Sequence, residues 1–148
     1  MTDAHDHRQL AADLFNRTWE LLDKNDRTRV ETDEMVHAAH ASRYHWGLVG
    51  TALHLARGEW QISRVYAMLR QGESAQYHAQ RSLGICQEND LGDFDLAFAY
   101  EALARAASVL GDNKALAEYL ALARQAAENI TEQDDKDYFV SELESIKI

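Results

Sequence analysis

Histidines and a glutamate lie close together early in the chain, in a spacing that could hold a metal ion. Glu34 and His37 form one Glu-x-x-His element, and His40 lies one helical turn further along the same face. Helical bundles that bind two iron ions need two such elements and further glutamates on facing helices, and this chain has only one. The single cysteine, Cys86, also excludes the common zinc frames. We therefore predict no metal and no cofactor, and we interpret these histidines as surface or core residues.

Motifs of nucleophilic catalysis are absent from the chain. It contains neither a Gly-x-Ser-x-Gly elbow nor a glycine-rich phosphate loop. Cys86 lies beside Leu83 and Ile85 in a helical stretch, which is typical of a buried structural thiol rather than a reactive one. Catalysis by other groups stays open, but the sequence favours a role without enzymatic activity.

The charge of the chain argues against nucleic acid as its partner. The net charge is −10, whereas affinity for nucleic acid comes largely from basic residues that contact phosphates. The middle of the chain, residues 35–90, differs because its five basic residues are all arginines and it holds five of the seven histidines. This is the part of the chain that is electrostatically suited to an anionic group.

Three simple features predict where the protein resides. No stretch approaches the roughly 20 apolar residues of a membrane span, so no membrane partner is expected. The first ten residues are polar and lack the apolar core of a signal peptide. One cysteine cannot form an internal disulfide, which suits a reducing compartment. We therefore predict a cytoplasmic protein.

Long helices are the dominant secondary structure that the sequence predicts. The chain contains no proline, which would break helix interiors, and it is rich in alanine, leucine, glutamate and arginine, which are strong helix formers. No linker-like segment divides the chain, so we predict one helical domain, 1–148, with a break near Gly47 between its second and third helices. The predicted helices are Asp6–Asp23, Thr32–Trp46, Leu48–Arg70, Ser74–Glu88, Phe94–Leu110, Asn113–Asn129 and Glu132–Ser145.

The sequences of the third and fifth helices are similar when they are aligned so that Leu55 coincides with Leu96. We call this constant offset along the chain the repeat shift. The repeat shift superimposes apolar residues at three-and-four spacing, which lie on one helical face. Ser63 and Ala104, small residues that let a neighbouring helix approach closely, also coincide. A fixed period of paired helices indicates a helical repeat array. The coinciding apolar pairs are Leu55 with Leu96, Ile62 with Leu103 and Leu69 with Leu110.

On these residues the chain resembles the tetratricopeptide repeat (TPR) family. The resemblance implies an all-α fold in which antiparallel helix pairs stack as a short TPR-like superhelical array, here of about seven helices. The chain departs from the family at Glu59 and Ala107, which stand where aromatic residues are usual, and in a repeat shift longer than the family period of about 34 residues. A generic antiparallel helical bundle is the alternative architecture. The residues that carry the resemblance are Ile62-Ser63, Tyr66, Leu69 and Ala75 in one unit, and Tyr100, Leu103-Ala104, Leu110-Gly111-Asp112 and Ala123 in the next.

The resemblance also implies a concave groove lined by one face of each first helix. Such a groove suits a binding module that recognises a peptide or protein segment, with aromatic anchors and with arginines that grip carboxylates. Alternatively, Glu101 and Arg105 merely pair along their own helix, and Trp60 belongs to the core. Formation of a homodimer is a further alternative, since the end helices of a short array often leave apolar faces that a second copy could cover. The predicted groove residues are Arg57, Trp60, Arg64, Met68, Phe98, Glu101 and Arg105.

A second function, the binding of a small molecule or metal inside the helical bundle, competes with the first. Glu59 falls within an apolar stripe, and a buried carboxylate needs a partner because an unpaired buried charge costs several kcal/mol. Arg43, Arg64 or a histidine could pair with it, unless it lies at the wet mouth of the stripe. The pocket for this function, which could belong to an enzyme, would comprise His37, His40, His54, Glu59, Trp60 and Arg64.

Overall fold

The computed structural model describes residues 3–147, and this part of the chain folds into seven α-helices without a β-strand. The all-α architecture and the number of helices are as predicted. The expected break at Gly47 is wrong, because the second helix continues to Val49 and a single glycine costs a helix only about 1 kcal/mol. No helix of the described chain is long and apolar enough to cross a membrane. The helices are α1 (Ala4–Leu22), α2 (Arg29–Val49), α3 (Ala52–Met68), α4 (Gly72–Glu88), α5 (Asp93–Leu110), α6 (Asn113–Ala127) and α7 (Gln133–Glu144).

Local sequence signals explain where helices begin and end. The side chain of Thr28 accepts a hydrogen bond from the backbone N–H of Glu31, and the Glu31 carboxylate accepts one from the backbone N–H of Thr28. This reciprocal capping box starts α2. Gly111 follows the last residue of α5 and caps the helix. Its φ of 74° lies in the left-handed region that glycine adopts without strain. These signals place the turns between the helices that pair.

The helices pack as antiparallel pairs that stack on one another. α1 packs on α2, α3 on α4 and α5 on α6, and each pair packs on the next. The repeat shift carries the first residue of α3, Ala52, onto Asp93 of α5, and Gly72 of α4 onto Asn113 of α6. The odd-numbered helices are neighbours in space, whereas the Cα atoms of α4 stay more than 8 Å from those of α2 and α6. The odd-numbered helices therefore form the inner layer of a curved array.

Two serines tie α3 closely to α4. Ser63 of α3 donates a hydrogen bond of 2.8 Å to the carbonyl oxygen of Ala75, and Ser82 of α4 donates one of 2.9 Å to that of Ala56. Both serines are buried, so these bonds satisfy hydroxyl groups that water cannot reach. Small side chains thus let the two backbones approach, as the sequence predicts at Ser63.

α7 docks against α5 and α6 through its apolar face. Phe139 is completely buried, and its ring centroid lies 4.8 Å from that of Phe98 in an edge-to-face arrangement. Leu143 and Ile146 continue the same core further along the chain. Full burial of a side chain of this size contributes about 1.5–3 kcal/mol, so α7 is a firmly held part of the inner layer.

Candidate functional site

Three cavities lie in a row on the inner side of the odd-numbered helices. The central cavity has a volume of about 370 Å³ and is lined by residues of α1, α3, α5 and α7, together with Ser82 of α4. The start cavity, of about 170 Å³, contains His54 in the first turn of α3. The end cavity, of about 500 Å³, contains Met68 in the last turn of α3. The aromatic residues of the central cavity are Phe15, Trp19, Trp60, Phe94, Phe98 and Tyr138.

The three cavities adjoin one another, because neighbouring cavities share lining residues. Phe15 and Arg57 line both the start and the central cavity, and Trp19 and Tyr138 line both the central and the end cavity. Together the cavities form one trough, which runs along α3 from His54 to its last residue. Fourteen helical steps of about 1.5 Å each give the trough a length of about 21 Å.

α1 and α7 face each other across the trough. No Cα atom of α1 lies within 8 Å of a Cα atom of α7 in the described chain, and α3 and α5 lie between them. From α7, Asp135, Tyr138 and Glu142 reach the trough, and their spacing places them on one helical face. α1 and α7 are therefore two separate walls of the trough.

The aromatic rings of the central cavity pack on one another. The ring centroid of Trp60 lies 5.4 Å from that of Trp19 and 5.1 Å from that of Phe98. The Phe98 ring also lies 4.6 Å from Phe94 and 5.9 Å from Tyr138. Because the rings support one another, the apolar lining is preformed and loses little side-chain entropy when a ligand binds.

A buried ion network lies behind the floor of the trough. The Glu101 carboxylate is completely buried, and it accepts a hydrogen bond of 2.8 Å from Nε of Arg105 and one of 3.3 Å from Nη2 of Arg64. Arg64 also lies 3.7 Å from the Glu142 carboxylate, and Arg105 donates a hydrogen bond of 3.0 Å to the backbone carbonyl of Glu142. Through Glu101 the network joins α3, α5 and α7.

The structure places five of the seven predicted groove residues at the trough and two behind it. Glu101 and Arg105 line none of the three cavities. Glu101 and Arg105 form an ion pair along α5, which is the alternative to a role in the groove that the sequence suggests. This ion pair holds both side chains against the core. The five predicted residues that line the trough are Arg57, Trp60, Arg64, Met68 and Phe98.

The sequence interpretation misses what α1 and α7 contribute to the trough. The repeat shift contains part of that information, since it carries Trp19 onto Trp60 and Glu101 onto Glu142. Tyr138 carries no such signal, because its position in the trough depends on how α7 docks.

Glu59 belongs to a separate polar cluster and lines none of the cavities. It is buried. Its carboxylate accepts a hydrogen bond of 2.9 Å from Nε of Arg43 and shares one of 3.0 Å with Nδ1 of His78. Burial raises the pKa of the Glu59 carboxyl, but the hydrogen bonds and charges of His78 and Arg43 outweigh it, so this pKa lies below its ordinary value. Glu59 is thus paired inside the fold rather than wet.

The residues of the alternative pocket do not meet in one place. His54 stacks on Trp46 in the start cavity with ring centroids 4.0 Å apart. His40 shares a hydrogen bond of 2.8 Å with the Tyr66 hydroxyl, and His37 is exposed on α2. Residues 3–147 contain no group of three histidine, cysteine, aspartate or glutamate side chains arranged to hold a metal ion. The predicted set is therefore divided among the start cavity, the cluster around Glu59 and the rest of the trough, and His37 belongs to none of them.

Acid is expected to destabilise the protein in two stages. Partial burial of its ring and the nearby His78 lower the pKa of His40 below 6.5, although the residue is exposed at one side. The unfolded chain therefore binds this proton more readily, and stability falls as pH drops below that value. The lowered pKa of Glu59 adds a second loss below about pH 4.5. Urea midpoints measured from pH 7.5 to 4 should show both stages. His40→Gln should reduce the first stage, to which His54 also contributes because its pKa is lowered as well. His5→Gln, at an exposed position on α1, is the control, and an unchanged profile in His40→Gln would contradict the assignment.

Cys86 is a structural thiol, as its apolar sequence neighbours predict. The residue is buried in α4. Burial, together with the charge of Asp95, raises the pKa of the thiol to about 11. The nucleophilic thiolate is therefore scarcely populated at neutral pH, and Cys86 offers no reactive group.

Comparisons of the chain with models of protein families, with curated proteins and with solved structures find no match. Membership of the tetratricopeptide repeat family is therefore an expectation from the sequence resemblance alone, and it is part of the proposal below.

Proposed function

We propose that this protein is a non-enzymatic binding module of the tetratricopeptide type, which holds an extended peptide or protein segment in the trough. The observation that carries the proposal is the row of three adjoining cavities along α3. At about 3.3 Å per extended residue, a trough of about 21 Å accommodates roughly six residues. An elongated, open channel of this kind suits a chain segment better than a compact molecule.

The chemistry of the trough also suits a peptide. Its central cavity offers rigid aromatic surface for a large apolar side chain, and such anchors dominate the binding energy of interfaces.

A small apolar ligand confined to the central cavity is the second candidate. Its volume of about 370 Å³ falls in the range of small-molecule pockets. Such a ligand would leave the start and end cavities unused, so the two candidates differ in whether residues at both ends of the trough affect binding.

Selection from a phage library of randomised seven-residue peptides on the immobilised full chain tests the proposal. We expect enriched peptides that bind the wild type and bind Tyr138→Ala about tenfold more weakly, because the substitution removes aromatic surface shared by two cavities. Tyr138 is 46% exposed, so the variant should fold. The measurement is fluorescence anisotropy of labelled peptides.

Tyr77→Ala is the matched control, since Tyr77 is an exposed tyrosine on α4 that lines none of the cavities. It should bind the selected peptides as the wild type does. A library that yields no enriched peptide, or peptides that bind both variants equally, would refute the proposal. Peptides that respond to Tyr138→Ala but not to Met68→Ala or Trp46→Ala would instead favour a ligand confined to the central cavity.

A further inference from the structure

We propose that the segment held in the trough is basic: a bulky apolar side chain enters the central cavity, and one or two lysines or arginines lie beside it toward the end cavity. This inference rests on the proposed function and adds the chemistry of the partner. Three observations carry it, namely the pairing of the trough arginines, the excess of carboxylates, and the direction of the helices.

The arginines at the trough are already neutralised within the protein. Arg57 donates two hydrogen bonds to the Asp95 carboxylate, one of 2.8 Å from Nε to Oδ1 and one of 3.3 Å from Nη2 to Oδ2. Arg64 contacts the buried carboxylate of Glu101 and stands 5.7 Å over the ring of Trp60. Guanidinium groups held in this way are unavailable to grip carboxylates of a partner, so the trough does not favour an acidic segment.

Carboxylates outnumber guanidinium groups along the trough. Four acidic residues line it against two arginines. Asp135 at the central cavity and Asp23 at the end cavity are exposed, and neither takes part in an ion pair among the described residues. The net charge of −10 gives the surrounding field the same sign.

The negative potential is concentrated toward one end. α1 and α3 both finish at the end cavity, where Leu22 and Met68 are lining residues, and helix C-termini carry partial negative charge. The opposite end is different, because Arg8 lies 5.7 Å over the ring of Trp46 and donates a hydrogen bond of 3.0 Å to the carbonyl of Val49. A basic residue of the partner is therefore stabilised on the side of Asp23, not on the side of Trp46.

The geometry limits how far the basic residue stands from the apolar anchor. Trp60 and Met68 are separated by eight helical steps, or about 12 Å. An extended segment covers that distance in about four residues. The expected pattern is thus a large apolar residue with a lysine or arginine within about four positions of it, always on the same side.

The composition of the peptides selected on the wild-type protein tests this inference directly. We expect lysine and arginine to be enriched near the apolar residue. The selected peptides should bind the double variant Asp23→Lys/Asp135→Lys about tenfold more weakly, because attraction becomes repulsion. The same library selected on that double variant should return acidic peptides. Circular dichroism checks that the variant is folded.

Asp33→Lys/Glu118→Lys is the matched control, because it makes the same change of net charge at exposed positions that line none of the cavities. It should retain binding within about twofold, since surface charges at a distance are screened. Enriched peptides without a basic excess, or with equal affinity for Asp23→Lys/Asp135→Lys, would overturn the inference and leave the peptide-binding proposal standing. No enrichment on the wild type would overturn both.

Discussion

Replacing Glu101 by glutamine is expected to lower the free energy of unfolding by about 3–5 kcal/mol, the range found when one member of a buried ion pair is removed. The Glu101 side chain is completely buried and contacts two guanidinium groups. Without its charge, Arg64 and Arg105 remain in the interior beside each other. Only the more distant contact at 3.7 Å with Glu142 would still compensate Arg64. Urea unfolding at pH 7, followed by circular dichroism, measures the change.

Glu118→Gln supplies the comparison, since Glu118 is exposed on α6 and the same substitution there should change stability by less than about 0.5 kcal/mol. A loss smaller than about 1 kcal/mol in Glu101→Gln would show that the network is not the tie between α3, α5 and α7 described above. Arg64→Ala is expected to destabilise in the same sense, so it cannot serve as a pure binding variant.

Replacing Phe139 by alanine is expected to cost about 3–5 kcal/mol and to release α7 first. The ring is completely buried against Phe98, and among the described helices only α5 and α6 have Cα atoms within 8 Å of those of α7. In a stacked array an end helix can open while the rest stays folded. Native-state hydrogen exchange should therefore accelerate in α7 before it does in α3 or α4. Peptide binding should fall as well, because α7 is one wall of the trough.

The neighbouring Val140 offers a control on the same helix. It is 37% exposed, so Val140→Ala should cost less than about 1 kcal/mol and leave hydrogen exchange in α7 nearly unchanged. If α7 exchanged at the same rate in Phe139→Ala as in the wild type, the ring would not be what holds this wall in place.

The helices can be predicted because their signals are local. The absence of proline, the abundance of helix formers and the polar turns mark seven helices, and the repeat shift relates α3 to α5 and α4 to α6. The end of α2 is misplaced in the sequence analysis because Gly47 looks like a stop. The helix continues there, and the real stop lies at Gly50, where the backbone leaves the helical conformation.

The trough can be predicted only in part, because much of it depends on contacts between residues distant in sequence. Helical spacing alone places Arg57, Trp60, Arg64 and Met68 on one face of α3, and all four line the cavities. The ion pairs of Arg57 with Asp95 and of Arg64 with Glu101 span 38 and 37 residues. No spacing rule reveals such partners, so the arginines look available for a ligand when they are not.

The position of the tryptophans gives the protein a built-in optical reporter. The chain has three, and all of them line the trough, Trp46 in the start cavity and Trp19 and Trp60 in the central cavity. The indole emission of the unlabelled protein therefore originates entirely around this one channel. Any molecule that displaces solvent from these rings should shift the emission to shorter wavelength.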